Sequence, residues 1–208
     1  MRASPFAVRS SARLVRAGGR GGGTAGNERL TASTAAVLVL LLAVEGVTIL
    51  FLRPLLSVHV FVGMLLIPPV ALKLASTGYR FARYYTGSPV YRSKGPPHLL
   101  LRLLAPLVVL STLVLFASGV YLLATGPPGG FVVGLHKVSF VVWLAATGVH
   151  VLAYLRRVPP LVAAEWRPRA TLAGAGSRRL LVLAVLVAGV VLAAVTLPLA
   201  SAWHGWLE

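Results

Sequence analysis

The chain contains no cysteine. That excludes disulfides, iron–sulfur clusters, zinc–thiolate sites and thioether-attached haem, and leaves the redox compartment undetermined. It contains no aspartate either, and its carboxylate side chains are confined to Glu28, Glu45, Glu165 and Glu208. So sparse a set argues against phosphoryl transfer at a metal and against a carboxylate-bridged metal site. No nucleotide-binding loop or catalytic nucleophile is recognisable, which points away from a self-contained enzyme. Charge is scarce as a whole: 12% of the 208 residues carry it, roughly half the share in a soluble domain.

What is abundant is apolar. Hydrophobic residues make up 57% of the chain, with a mean hydropathy of +0.85, and they fall in blocks of about twenty, the length that crosses a hydrocarbon core as a helix. The expectation is an all-α polytopic membrane helix bundle of five transmembrane helices, a four-helix core with one added. The spans are expected at about 33–52, 55–76, 99–124, 131–155 and 180–200. Arg53-Pro54 ends the first, and Thr125-Gly126-Pro127-Pro128-Gly129-Gly130 forms the turn before the fourth. Residues 1–32, glycine-rich around Gly18–Gly23, are expected to be a disordered basic tail. Residues 158–179 are expected to be a loop, and 201–208 a short tail anchored by Trp203 and Trp206. With no signal-peptide core in the tail, the first span is the expected insertion signal.

The net charge of +16 invites a nucleic-acid partner, and its distribution argues against one. Six basic residues lie in the tail (Arg2, Arg9, Arg13, Arg16, Arg20, Arg29), six between Lys73 and Arg102, and six between Arg156 and Arg179. With five spans these all fall on one side, leaving Arg53 and Lys137 on the other. The positive-inside rule then puts the N-terminus in the cytoplasm and the C-terminus outside, in a cell inner (plasma) membrane. A basic cytoplasmic face suits anionic lipid, so the bilayer takes the place of nucleic acid as partner.

The chemistry-bearing residues are histidines. Fourteen positions separate His136 from His150 in the apolar run Leu135–His150, which on a helix is roughly 3.9 turns and about 21 Å along one face. The second and fourth spans run in parallel, so His59 and His136 can meet at one depth near the outer side. An imidazole from each face is what six-coordinate haem iron requires. Gly63 lies one turn from His59, where a missing side chain leaves room for a porphyrin. Arg53 and Lys137 are natural partners for haem propionates. Taken singly, each histidine also reads as a polar cap and each cation as a snorkelling residue.

The inner end is less complete. Level with His150 the second span carries Lys73, where a symmetrical site would want histidine, and His98 could reach inward from the start of the third span. A second haem, a quinone or proton contact, and a structural histidine all remain open there. His204, near the C-terminus, could displace an outer ligand. Glu45, an ionisable group at mid-membrane, is a functional candidate in its own right. Pro68-Pro69 should kink the second span and free backbone carbonyls.

The His–His spacing on one helix, together with blocks such as His59-Val60-Phe61-Val62-Gly63, Lys73-Leu74-Ala75-Ser76-Thr77-Gly78-Tyr79-Arg80-Phe81 and His136-Lys137-Val138-Ser139-Phe140, resembles the four-helix membrane cytochromes b. In particular it is similar to the small multi-pass cytochrome b-like proteins of actinobacteria. The resemblance covers roughly residues 33–157. It implies haem b, one group and a possible second, and an electron-transfer subunit working between a quinol pool and an external redox partner protein. Lys73 at the fourth ligand position departs from that pattern. The competing expectation is a cofactor-free small transporter or membrane assembly protein, with Glu45, Lys73 and the Pro68-Pro69 break as its working parts.

Overall fold

A computed structural model describes residues 22–93, 95, 99–127, 130–169 and 172–207. Among the described residues there is no strand, and eight α-helices follow in order. They are α1 (Gly23–Leu50), α2 (Leu52–Tyr85), α3 (Pro89–Arg92), α4 (Leu99–Thr125), α5 (Gly130–Tyr154), α6 (Val158–Trp166), α7 (Ala175–Thr196) and α8 (Ser201–Leu207). A 3-10 turn, Leu197–Ala200, joins the last two. Five helical stretches are long and apolar enough to cross a membrane: α1, α2, α4, α5 and the run Ala175–Trp203. The fold is thus the all-α polytopic bundle expected. Most of the tail expected to be disordered, 1–21, lies outside the described residues.

Several boundaries differ from expectation, each for a local reason. Helix α1 begins at Gly23, ahead of Ser33, because the polar residues there are engaged rather than solvated. Asn27 donates its side-chain amide to the Ser76 carbonyl at 3.1 Å, and Lys73 donates to the Thr31 carbonyl at 3.1 Å. Helix α2 continues to Tyr85, past the end expected at about 76; Phe81 and Tyr85, one turn apart, bring their rings to 4.5 Å. The loop 158–179 holds α6, started by Pro159-Pro160 in the first turn, where the missing amides cost nothing.

The paired prolines do not break α2. Its one non-helical residue is Leu55 (φ −109°, ψ 15°), immediately after Pro54; the backbone therefore departs from the helix there and not at Pro68-Pro69, where the kink was expected. Pro69 lacks the amide that would bond the Leu65 carbonyl, and α7 closes on that oxygen. A Cβ built at Gly189 would stand 2.5 Å from it. Glycine there allows the near contact of backbone with a carbonyl that lets helices pack closely in membranes.

Helix α2 is the centre of the bundle, packed between α1 and α7, with α6 laid against α1. Helices α4 and α5 pair with each other through the turn at Gly126 (φ 74°) and meet the rest chiefly through α4 on α2. The core is small: Met64, Leu65, Leu123, Ala193 and Ala200 in one cluster, Leu38, Val62 and Leu66 in a second. Trp203 packs on Leu56 and Leu122 and donates its indole N–H to the Leu122 carbonyl at 3.1 Å, tying α8 to α4. Leu40, Leu50, Phe131, Leu152 and Val195 are exposed, as helices facing lipid tails leave them.

One charged cluster is buried. Glu165 of α6, 1% exposed, accepts from Arg178 Nε at 2.8 Å and Nη2 at 2.9 Å, a fork matched to a carboxylate. Arg29 of α1 approaches it to 3.7 Å, and Arg179 donates to its backbone oxygen. These contacts pin α6 between the starts of α1 and α7.

Candidate functional site

Between the α1–α2 pair and the α4–α5 pair lies a cavity of ≈ 510 Å³, within the range that holds small cofactors. Its walls are leucine, isoleucine, valine and aromatic side chains, and its polar members include Glu45, His59, His136 and Lys137. Helices α2 and α5 do not pack closely on each other; they face one another across this space.

His59 and His136 meet there. Their ring centroids are 6.5 Å apart with planes at 82°, the meeting expected from the parallel second and fourth spans. Each ring is held by its Nδ1. That of His59 contacts Glu45 Oε1 at 2.8 Å and Thr48 Oγ1 at 3.2 Å; that of His136 contacts Ser118 Oγ at 3.0 Å. A hydroxyl has one proton to give. Thr48 gives its proton to the Glu45 backbone carbonyl at 2.7 Å, and Ser118 gives its own to the Leu115 carbonyl at 3.0 Å. Both hydroxyl oxygens therefore act as acceptors toward the rings. The Nδ1 atoms carry the protons, and each Nε2 keeps its lone pair.

Two glycines shape the walls. A Cβ at Gly119 of α4 would come within 3.1 Å of His136 Cε1, so a side chain there would push on the ring. At Gly63 a Cβ would meet Glu45 Oε1 at 3.6 Å, so that glycine leaves space beside the carboxylate as well as in the cavity.

Among the other expected site residues, Lys137 lines the cavity and Arg53 does not; Arg53 is exposed at the start of α2. Lys73 is turned to α1, bonded to the Thr31 carbonyl. The His150 ring lies 5.0 Å from the Tyr154 ring, tilted to it by 45°. Its Nδ1 and the Thr147 hydroxyl are buried without a hydrogen-bond partner, and neither residue borders the cavity. His98 and the side chain of His204 lie outside the described residues. Reasoning from sequence missed Thr48, Ser118 and Gly119 as supports and left Glu45 without a partner.

The residues present fit a haem. Two imidazoles on opposite sides of one metal ion stand with centroids on the order of 6 Å apart, given roughly 2 Å per metal–nitrogen bond and about 1 Å from nitrogen to ring centre. The observed 6.5 Å agrees. Both rings have their other nitrogen anchored by a neighbour, as metal-ligating histidines do. Among the described residues no group of three or more His, Cys, Asp or Glu side chains could hold a metal ion. A haem brings its own ring of nitrogens and asks only two ligands of the chain. No protein-family model, no curated protein and no solved structure matches the chain.

Proposed function

We propose that this chain is a membrane-embedded, b-type cytochrome-like electron-transfer subunit that takes one haem b between His59 and His136. It passes electrons between a quinol pool and an external redox partner, and catalysis belongs to that partner. The observation that carries this reading is the 6.5 Å separation of two rings whose Nδ1 atoms are both engaged and whose Nε2 atoms both keep a lone pair. When bound, the haem supplies one-electron exchange at its iron, with a potential set by axial ligation, hydrogen bonding and burial. The chain's own part is to hold the two imidazoles, exclude water with an apolar wall, and offer Lys137 to a propionate carboxylate.

The distribution of basic residues supports an N-terminus in the cytoplasm, a C-terminus outside, and a plasma-membrane address. His150 Nδ1 and Thr147 Oγ1, buried atoms without a hydrogen bond, are the groups that an inner contact with a quinone or a second haem would use.

A reduced-minus-oxidised absorption spectrum of the purified protein tests the haem. The wild type shows a sharp α band, and His59→Ala and His136→Ala variants lose it. A colourless, well-folded wild type after expression with ample haem overturns the reading. The other function, a cofactor-free transporter or assembly protein, is favoured by one observation: Glu45 paired with His59 inside the bundle is also the arrangement of an intramembrane ion or proton site. The same spectrum separates the two.

A further inference from the structure

The two ring ligands have different neighbours. His136 Nδ1 faces the neutral hydroxyl of Ser118 at 3.0 Å. His59 Nδ1 faces a carboxylate, Glu45 Oε1, at 2.8 Å. That carboxylate is also flanked on its other side: Glu45 Oε2 lies 3.3 Å from Thr48 Oγ1, and Thr48 is buried. Gly63 leaves its space open, with the nearest approach to Glu45 Oε1 at 3.6 Å for an added Cβ. Nothing basic stands against Glu45 among the ion pairs of the described residues except His59 itself. Among the described residues the carboxylate is therefore directed at one imidazole.

We infer that Glu45 is the positioning and potential-setting residue of the site: it fixes His59 in the Nδ1–H tautomer and makes it a more electron-rich ligand than His136. The inference rests on the haem reading for its electrochemical half and on the chain alone for its tautomer half. A carboxylate accepting the ring N–H raises the basicity of the distal nitrogen and holds the plane of the ring. An electron-rich axial nitrogen and a nearby negative charge both favour the oxidised, more positive iron, and so lower the potential. The serine beside His136 orients its ring without adding charge. The two faces of the site are thus built with one anionic and one neutral support.

Two measurements test this separately. The first uses the haem-free full-length protein with ring-¹⁵N-labelled histidine, its His59 signals assigned through a His59→Gln variant. The wild type is expected to show His59 protonated at Nδ1, and Glu45→Ala a mixture of tautomers. Unchanged His59 signals in Glu45→Ala overturn the inference, whether or not haem binds.

The second uses haem-loaded protein. Glu45→Gln keeps an acceptor oxygen beside the ring and removes the charge, so it is expected to retain haem and shift to a more positive midpoint potential. Glu45→Ala loses both, with haem affinity falling about 10–100-fold. Ser118→Ala, beside the other ring, should move the potential less than Glu45→Gln. Equal potentials for wild type and Glu45→Gln overturn the inference while leaving the haem reading intact. A wild type that takes up no haem overturns the haem reading and the electrochemical half together, and the tautomer measurement then decides the rest.

Discussion

Gly189 of α7 lies against the carbonyl of Leu65 in α2, the oxygen whose helical partner would have been the amide of Pro69. Two sequence features far apart in the chain, a proline pair and a glycine, are one packing device. A Cβ at Gly189, 2.5 Å from that oxygen, forces α7 away from α2. Gly189→Ala should cost about 1–3 kcal/mol, the usual range for overpacking. It should read out as a lower midpoint of thermal unfolding in detergent, with Gly176→Ala, which meets nothing within 4 Å, as the control. Equal midpoints for the two variants would refute the device.

Gly119→Val addresses the cavity from the side of α4. Its Cβ would press on His136 Cε1 from 3.1 Å, displacing the ring while leaving the helices in place. The expected result is loss of most of the α band with unchanged far-ultraviolet circular dichroism. Retention of a full α band would show that the ring does not need its present position.

The Glu165–Arg178 pair is expected to behave as a buried ion pair does. Glu165→Ala leaves the Arg178 guanidinium buried without its carboxylate, a loss of about 3–5 kcal/mol. The double variant Glu165→Leu/Arg178→Met removes both charges and should recover a large part of that loss. Chemical unfolding of the single and double variants in detergent measures both, and a double variant no more stable than the single would contradict the account.

Trp203 contributes apolar area and a hydrogen bond to the Leu122 carbonyl at 3.1 Å. Trp203→Ala should destabilise the bundle by about 3–5 kcal/mol, whereas Trp203→Phe, which keeps most of the apolar area, should cost less. Limited proteolysis near the C-terminus checks this, with faster cleavage expected in the alanine variant.

The spans were legible because apolar blocks and interrupting charges are read along the chain one residue at a time. The facing of His59 and His136 was legible too, since it follows from counting spans. The supports of the rings were not read, although a signal exists. In two antiparallel helices joined by a tight turn, both rise at the same rate, so residues equally far on either side of the turn come level. Glu45 and His59 stand equally far from Leu52, as do Thr31 and Lys73, and Ser118 and His136 stand equally far from Pro127. All three pairs are in contact. The same mirror relation explains why Lys73 turns to α1. The helix of α6 and the burial of Glu165 were illegible for another reason: proline and arginine read as loop until the carboxylate that gathers Arg29 and Arg178 is placed among them.

The α4–α5 hairpin stands off from the α1–α2–α7 layer, with the cavity as the seam. At its rim Leu122 and Leu123 of α4 already pack against α2 and Trp203. A ligand taken up there would touch both walls at once, so its binding would clamp the hairpin to the layer and raise the resistance of the whole bundle to unfolding.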